Sequence, residues 1–432
     1  MADRTVPDYD ILVHCIHCGL CLPHCPTYVA TGNERSSPRG RIRLMKSVSD
    51  GVLPLSDLFV EEMDFCLDCQ ACETACPAGV KYGALVEAAR AQIYEEKKER
   101  WLRRLTKRFF LGWVLMKRTR IHLLAKVLRW YDRTGIPHAL SESGAVGLIS
   151  ARLDSLLKFV PKISGRFSSD ELGPILMPVG EDTRYKVGFL TGCVMDVAYA
   201  AINEDTVEVL RRHGCQVVVP CDQVCCGSLH AHNGDYANAD ALAKINIQAF
   251  ADDSLDFIVM NSAGCGAFMK EYGHRFAHDP FLAEQARKVS AKVRDITEFL
   301  GEAGFHPSTQ PARILKGKTI SYHDACHLVH TQKVYRQPRD LLRSVPGILY
   351  KELPESTWCC GSAGIYNIVR HGDSLTFLER KLQNIRSIAP DILVMGNPGC
   401  MIQIAFGLER DKSATSVMHT STFLRHACCS EV

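Results

Sequence analysis

Two stretches, "CIHCGLCLPHCP" at residues 15–26 and "CLDCQACETACP" at 66–77, decide how the chain is read. In the first, Cys15, Cys18 and Cys21 stand three apart, Cys25 four further on, and Pro26 follows. The second repeats the figure with Cys66, Cys69, Cys72, Cys76 and Pro77. Such repetition ties four thiols and a proline to one local geometry, used twice.

A C-x2-C-x2-C run wraps short loops around a compact cubane and aims three thiolates at it. The whole run, with its fourth cysteine before proline, resembles the bacterial ferredoxin signature, in which the fourth thiolate serves the other cluster. The resemblance implies one 4Fe-4S cluster on Cys15, Cys18, Cys21 and Cys76, and a second on Cys66, Cys69, Cys72 and Cys25. Proline fixes φ and turns the chain away. Gly19 and Ala71 are the small residues expected to let backbone amides approach the sulfides. Zinc sites are built from C-x2-4-C pairs rather than triplets, which favours iron–sulfur. Between the motifs, "SSPRGRIRLMKSV" reads as a basic helix; Arg39, Arg41 and Arg43 either raise a cluster potential, dock an acidic partner or form a solvated face.

The chain has 432 residues, 46% hydrophobic and 23% charged, which suits a soluble multidomain protein. Its 20 cysteines would suggest disulfides in a small secreted chain, but this chain is large enough to bury its own cores. The opening "MADRTVPDYD" is polar and acidic, so the expectation is a cytoplasmic protein with reduced, metal-binding cysteines. A net charge of +3 gives no footprint for nucleic acid. The run "FFLGWVLM" is too short to span a bilayer.

From Lys97 to Arg133 the chain is dense in Lys and Arg, with Trp101, Phe109, Phe110, Trp113 and Trp130 interleaved. Apolar residues fall at helical spacing. Such a helix pair either lies on an anionic membrane surface, at the inner face of the cell membrane, or packs on the preceding domain. Residues 134–183 read as a linker with one helical piece, "GLISARLDSLLKFV".

The second half carries an internal repeat. "GFLTGC" ends at Cys193, "CCG" holds Cys225 and Cys226, and "NSAGCG" contains Cys265. "SYHDAC" ends at Cys326, a second "CCG" holds Cys359 and Cys360, and "GNPGC" ends at Cys400. The offsets are 133, 134 and 135 (326 − 193, 359 − 225, 400 − 265). Strand runs "YKVGFL", "QVVV" and "DFIVM" in the first copy, and "TISY" and "DILVMG" in the second, alternate with helices such as "DYANADALAKINIQAF". This predicts parallel α/β units with the cysteines just past strand ends, where ligand sites of open sheets collect. A buried cysteine is often a small hydrophobe, but adjacent pairs recurring at matched strand ends point to metal.

The repeats resemble the cysteine-rich CCG domains of heterodisulfide reductase subunits, the anaerobic glycerol-3-phosphate dehydrogenase small subunit and the lactate-utilisation proteins. Two ferredoxin motifs followed by two such domains, with "CIHCGLCLPHCPTY", "CETACPAGVKYG" and "TGCVMD", most resemble the iron–sulfur subunit of glycolate oxidase. The resemblance implies an α+β multidomain chain: a helical dicluster ferredoxin-type domain at 1–95, a basic helical segment and linker at 96–183, and small repeated α/β CCG domains at 184–305 and 314–425. It further implies an electron-transfer subunit of a glycolate-oxidising complex. An FAD-containing partner subunit would oxidise glycolate to glyoxylate, and electrons would pass toward quinone or another membrane acceptor. Lactate or glycerol 3-phosphate are the alternative substrates, and a catalytic heterodisulfide-reductase-like subunit is the alternative class. The family pattern ends each copy in C-x2-C; here Ser262 and Asn397 take the first positions, against a five-ligand noncubane cluster. Four cysteines per copy still suffice for one further cluster each. His230, His232, His323 and His327 are candidate ligands, proton carriers or tuning partners. Cys215, Cys221, Cys428 and Cys429 lack counterparts between the copies. No Gly-rich dinucleotide fingerprint follows a strand, so neither flavin nor NAD is expected on this chain.

Overall fold

The computed structural model describes residues 4–96, 101–135, 155, 159 and 161–428. The expected helix "GLISARLDSLLKFV", apart from Ser155 and Phe159, lies outside the described residues, as do Cys429 and residues 97–100.

The N-terminal unit is helical. Ser37 caps the helix Pro38–Ser49 through its hydroxyl, which accepts from Gly40 N–H at 3.0 Å, and Pro38 sits in the first turn where no donor is lost. This is the basic helix expected between the motifs. It turns Ile42 and Met45 inward onto Phe59 and Met63 of the helix Asp57–Phe65 and Leu85, Val86 and Ala89 of the helix Tyr82–Glu95. Pro26 likewise opens a short helix, Pro26–Thr31, with Cys25 as its N-cap.

Two sheets follow. In the first, β1 (Ile175–Leu176), β2 (Tyr185–Phe189), β3 (Cys215–Val218), β4 (Phe257–Met260) and β5 (Val293–Asp295) lie in the order β1-β3-β2-β4-β5. Only β1 runs antiparallel; it pairs Ile175 with Val218 and comes from the stretch between the helical unit and the first repeat. In the second, β6 (Thr319–Tyr322), β7 (Leu349–Tyr350), β8 (Ile392–Met395) and β9 (Ser416–His419) lie in the order β7-β6-β8-β9, all parallel. Apart from β1 the orders match strand for strand: Gly188 pairs with Ile258 as Ser321 pairs with Leu393. The central strands are buried on both faces, so they read as continuous apolar runs rather than alternating ones.

The copies are joined reciprocally. The helix Ala200–Arg212, after β2, packs on Thr420–Cys428 of the second copy; Arg336–Arg343, after β6, packs on Ile296–Ala303 of the first. One apolar core results, with Val187, Phe189 and Phe299 meeting Tyr322, Leu342 and Phe423. Burial of these large side chains, each about 1.5–3 kcal/mol, fixes the copies face to face.

The basic stretch forms the helices Trp101–Phe109 and Arg118–Arg133 around a π-turn at Phe110–Val114. Its inner face, Val114, Ile121 and Ala125, packs on Phe167, in the stretch before the first copy, and on Val197 of the first copy. Trp101 (76%), Phe109, Phe110, Trp113 and Trp130 stay exposed on the other side.

Candidate metal centres

The two N-terminal cysteine runs fold alike. Left-handed backbone occurs at His17 (φ 54°) and Gly19 (φ 86°), and at the matching Asp68 (φ 52°) and Gln70 (φ 58°). These turns aim N–H groups at sulfur: Asp68 N–H donates to Cys66 Sγ at 3.3 Å, and the Tyr82 hydroxyl donates to the same sulfur at 3.5 Å. The counterpart of Gly19 is therefore Gln70, not Ala71, which opens the short helix Ala71–Thr74. A glutamine at φ > 0 is uncommon and has to be held. Thr331 holds it, donating its hydroxyl to Gln70 Oε1 at 2.7 Å.

Cys25, Cys66, Cys69 and Cys72 are buried, Cys15, Cys21 and Cys76 partly so, and Cys18 is exposed. Cys25 stands close enough to Cys69 and Cys72 to raise both their thiol pKa values, behind burial and nearer partners. Burial pushes the Cys21 thiol up to about 11. Arg41, 0% exposed, lies behind this group: Nε donates to Glu62 O at 2.7 Å and Nη1 to Thr27 Oγ1 at 3.0 Å, itself 3.2 Å from Cys25 Sγ. Burial raises the Cys66 pKa, and the Arg41 and Arg90 charges oppose it. Of the three arginines singled out in the sequence, Arg39 instead pairs with Glu34 at 2.6 Å near the surface, and Arg43 is exposed.

In each repeat the cysteines stand at the C-terminal strand ends. Cys193 follows β2, Cys225 and Cys226 follow β3, and Cys265 lies in the first turn of the helix Ala263–Lys270 after β4. Cys326, Cys359, Cys360 and Cys400 take the same places after β6, β7 and β8. The chain leaves β2 and β6 for neighbours on opposite sides, the switch point where open sheets form a ligand crevice. The glycine of each CCG is obligatory. Gly227 has φ 94° and an added Cβ would lie 3.0 Å from Ala239 O; at Gly361, with φ 89°, it would lie 2.5 Å from Ser374 O.

The four thiols of each copy touch in sequence. Hydrogen bonds from Cys193 and Cys226 pull the Cys225 pKa down, and the bond from Cys226 pulls Cys265 down. The same bonds push Cys193 and Cys226 up. Cys326, Cys359, Cys360 and Cys400 form the matching chain. Ser262 bonds to Cys265, and Asn397 Nδ2 donates to Cys400 Sγ at 3.5 Å, so both residues that replace a family cysteine turn toward the remaining one.

The histidines differ in role. His230 Nε2 meets Leu111 O at 2.9 Å, and Cys225 lies beside its ring. His232 meets Glu87 at 2.6 Å and Asp68 at 3.1 Å; burial disfavours its charge, but these carboxylates outweigh it and lift the pKa to about 10. His327 Nε2 bonds to Asp68 O at 3.0 Å. His323 is buried, and burial with the nearby Lys381 charge pushes it down to about 3.

Both repeat sites face one cavity of about 230 Å³, whose wall also includes Cys66 and Arg90 of the helical unit. Beside it the thiols of Cys69 and Cys359 hydrogen-bond across the boundary between the helical unit and the second repeat. Cys215, by contrast, is a core residue of β3, its thiol pushed up to about 12 by burial. Sulfur donors gathered without disulfides, in loops that turn N–H groups toward them, fit iron–sulfur clusters.

Residues 11–80 match the 4Fe-4S dicluster domain family, and residues 187–270 and 320–405 each match the cysteine-rich CCG domain family. A helical dicluster unit carrying a face-to-face pair of CCG units defines a multidomain iron–sulfur protein of the oxidoreductase complexes. The chain is 36% identical over 404 residues to the probable glycolate oxidase iron-sulfur subunit of Bacillus subtilis, covering 93% of this chain and 90% of that protein. It is 30% identical to the glycolate oxidase iron-sulfur subunit of Escherichia coli, covering 96% and 94%. Lactate utilization protein A of Shouchella clausii is 30% identical over 246 residues, 55% of this chain and 98% of that protein. The chain belongs to the glycolate oxidase iron–sulfur subunit family.

Proposed function

We propose that this chain is the electron-carrying subunit of a glycolate oxidase, taking electrons from an FAD-bearing partner and passing them toward quinone or another membrane acceptor. Iron–sulfur clusters supply single-electron uptake and release; hydride removal from a hydroxy acid belongs to the partner's flavin. The reading assigns Cys15, Cys18, Cys21 and Cys76 to one 4Fe-4S site and Cys66, Cys69, Cys72 and Cys25 to the other. It assigns Cys193, Cys225, Cys226 and Cys265, and Cys326, Cys359, Cys360 and Cys400, to one site per repeat. It divides the chain at 1–95, 96–183, 184–305 and 314–425.

One observation carries it: the cysteine groups form a continuous series. Cys21 and Cys25 interact between the first two groups, Cys69 meets Cys359, and the two repeat groups share one cavity. The series starts at an exposed end, where Ile16 and Leu20 flank Cys18 and offer an apolar seat for the flavin partner. It finishes beside the basic hairpin, whose Leu111 carbonyl touches His230. No described helix is long and apolar enough to cross a membrane. The exposed aromatic face, rimmed by Arg108, Lys117, Lys126 and Arg133, suits the surface of an anionic bilayer.

The test is anaerobic purification with the native partners, followed by separate additions of glycolate, D-lactate and glycerol 3-phosphate. Bleaching of the brown absorbance by glycolate alone is the expected result. Bleaching by lactate alone would move the chain to the lactate branch of its relatives. No bleaching in a complex with intact clusters and flavin would sink the conduit reading.

A further inference from the structure

We propose that His323 is a nitrogen ligand of the metal centre in the second repeat, so that the two repeats hold centres with different donor sets. The His323 ring is 1% exposed, and neither nitrogen has a well-formed hydrogen-bond partner. Leaving buried donors and acceptors unpaired is costly, so an imidazole with both nitrogens orphaned calls for another partner. The surroundings name that something. A His323 ring nitrogen, Cys360 Sγ and Cys400 Sγ all lie within 4.8 Å of one another. A single metal ion with bonds of about 2.0–2.3 Å to nitrogen and sulfur gathers three donors within this range.

The backbone fixes the ring's position. His323 follows β6 directly, and its N–H donates to Val394 O at 2.9 Å, continuing the ladder with β8. The side chain therefore leaves from the same strand end that delivers Cys326. The first repeat lacks the donor. At the offset of Cys326 from Cys193, His323 corresponds to Leu190, a buried apolar residue. The first site has an imidazole from another direction, His230, whose Nε2 meets the Leu111 carbonyl at 2.9 Å, so one of its nitrogens is engaged where neither of those of His323 is. Asn397 also distinguishes the second site, since its amide donates to Cys400, whereas the first site offers the Ser262 hydroxyl. Replacing thiolate by neutral imidazole at iron removes negative charge and raises the reduction potential.

The proposal rests on the second-repeat cysteines forming a metal site, and the test separates the two claims. The full chain with its partner is prepared with nitrogen-15 histidine as wild type, His323→Leu, His323→Cys and Cys360→Ser. Iron per chain, pulsed electron paramagnetic resonance of the reduced protein and the midpoint potential of each centre are measured. Expected are a strongly coupled histidine nitrogen in wild type, lost in both His323 variants, and an unchanged iron count with one lowered potential in His323→Cys. His323→Leu reproduces the residue of the first repeat and is the stricter packing test; His323→Cys keeps a ligand and guards against misfolding. Absence of a strongly coupled histidine nitrogen in wild type, or unchanged potentials in His323→Cys, overturns the histidine ligand. Undiminished iron in Cys360→Ser overturns the metal site beneath it.

Discussion

Substituting alanine for Gly361 tests whether the CCG glycine is set by space as well as by backbone angle. Gly361 sits at φ 89°, and an added Cβ would lie 2.5 Å from the Ser374 carbonyl and 3.3 Å from Phe377 Cβ. The left-handed backbone alone costs alanine about 1–2 kcal/mol. The contact with a helix carbonyl, which cannot swing aside, adds roughly 1–3 kcal/mol of overpacking. Gly347 supplies the control: it has φ 76°, but nothing lies within 4 Å of its added Cβ. Gly347→Ala should carry the angular cost only. The difference between the variants is then about 1–3 kcal/mol, or roughly 5- to 150-fold in an opening equilibrium. Amide exchange followed by mass spectrometry across residues 359–377 reads that equilibrium directly. The expected result is faster exchange there in Gly361→Ala by at least several-fold over Gly347→Ala measured at its own loop, with loss of iron from one centre. Equal effects at the two positions would refute the steric part of the reasoning.

Other outcomes follow from buried charges and exposed rings. Arg41→Met removes the cation beside Cys25 and Cys66 and its bonds to Glu62 O and Thr27 Oγ1, while the Glu62 carboxylate keeps Arg35 at 2.9 Å; the expected cost is about 1–3 kcal/mol in urea unfolding, with a lower midpoint potential at one ferredoxin-type centre. An unshifted potential would mean that the arginine serves packing alone. His232 has its pKa raised to about 10, above the ordinary histidine value of 6.5, so its ion pairing stabilises the fold fully below pH 6.5 and is lost as pH rises toward 10. His232→Gln should flatten that part of the pH profile of thermal stability; an unaltered slope would assign it to other groups. Phe109→Ser with Trp113→Ser should weaken co-sedimentation with anionic vesicles at least roughly tenfold, since each aromatic contributes about 1.5–3 kcal/mol when buried. Binding that survives both changes would place the lipid contact elsewhere.

Much of this architecture was legible because metal chemistry constrains local spacing. The C-x2-C-x2-C runs and the offset of the two CCG copies are short-range patterns, and the strands between them announce themselves as apolar runs. The repeat strands appear where "YKVGFL", "DFIVM", "TISY" and "DILVMG" placed them. What stayed hidden depends on partners distant in sequence. Gln70 takes a left-handed angle that no glycine marks, because Thr331, 261 positions away, holds it. Arg41 looks like one arginine among three in its helix, and only the tertiary fold buries it while Arg43 faces water. The bond from Cys69 to Cys359 joins two motifs that read as separate sites. The basic hairpin was ambiguous for another reason: its amphipathic pattern shows that one face is covered, not by what. The cover is Phe167, just before the first repeat, and Val197 within it.

The crossed helices between the repeats have an evolutionary consequence. Because Ala200–Arg212 lies on Thr420–Cys428 and Arg336–Arg343 on Ile296–Ala303, neither copy owns a complete interior. Removing or reordering one copy would bare the half of the core that the other contributes, so the two copies are expected to be kept together. Ser262, Asn397 and His323 stand outside that shared interior, beside the cysteines, and it is there that the two copies differ in the groups they offer.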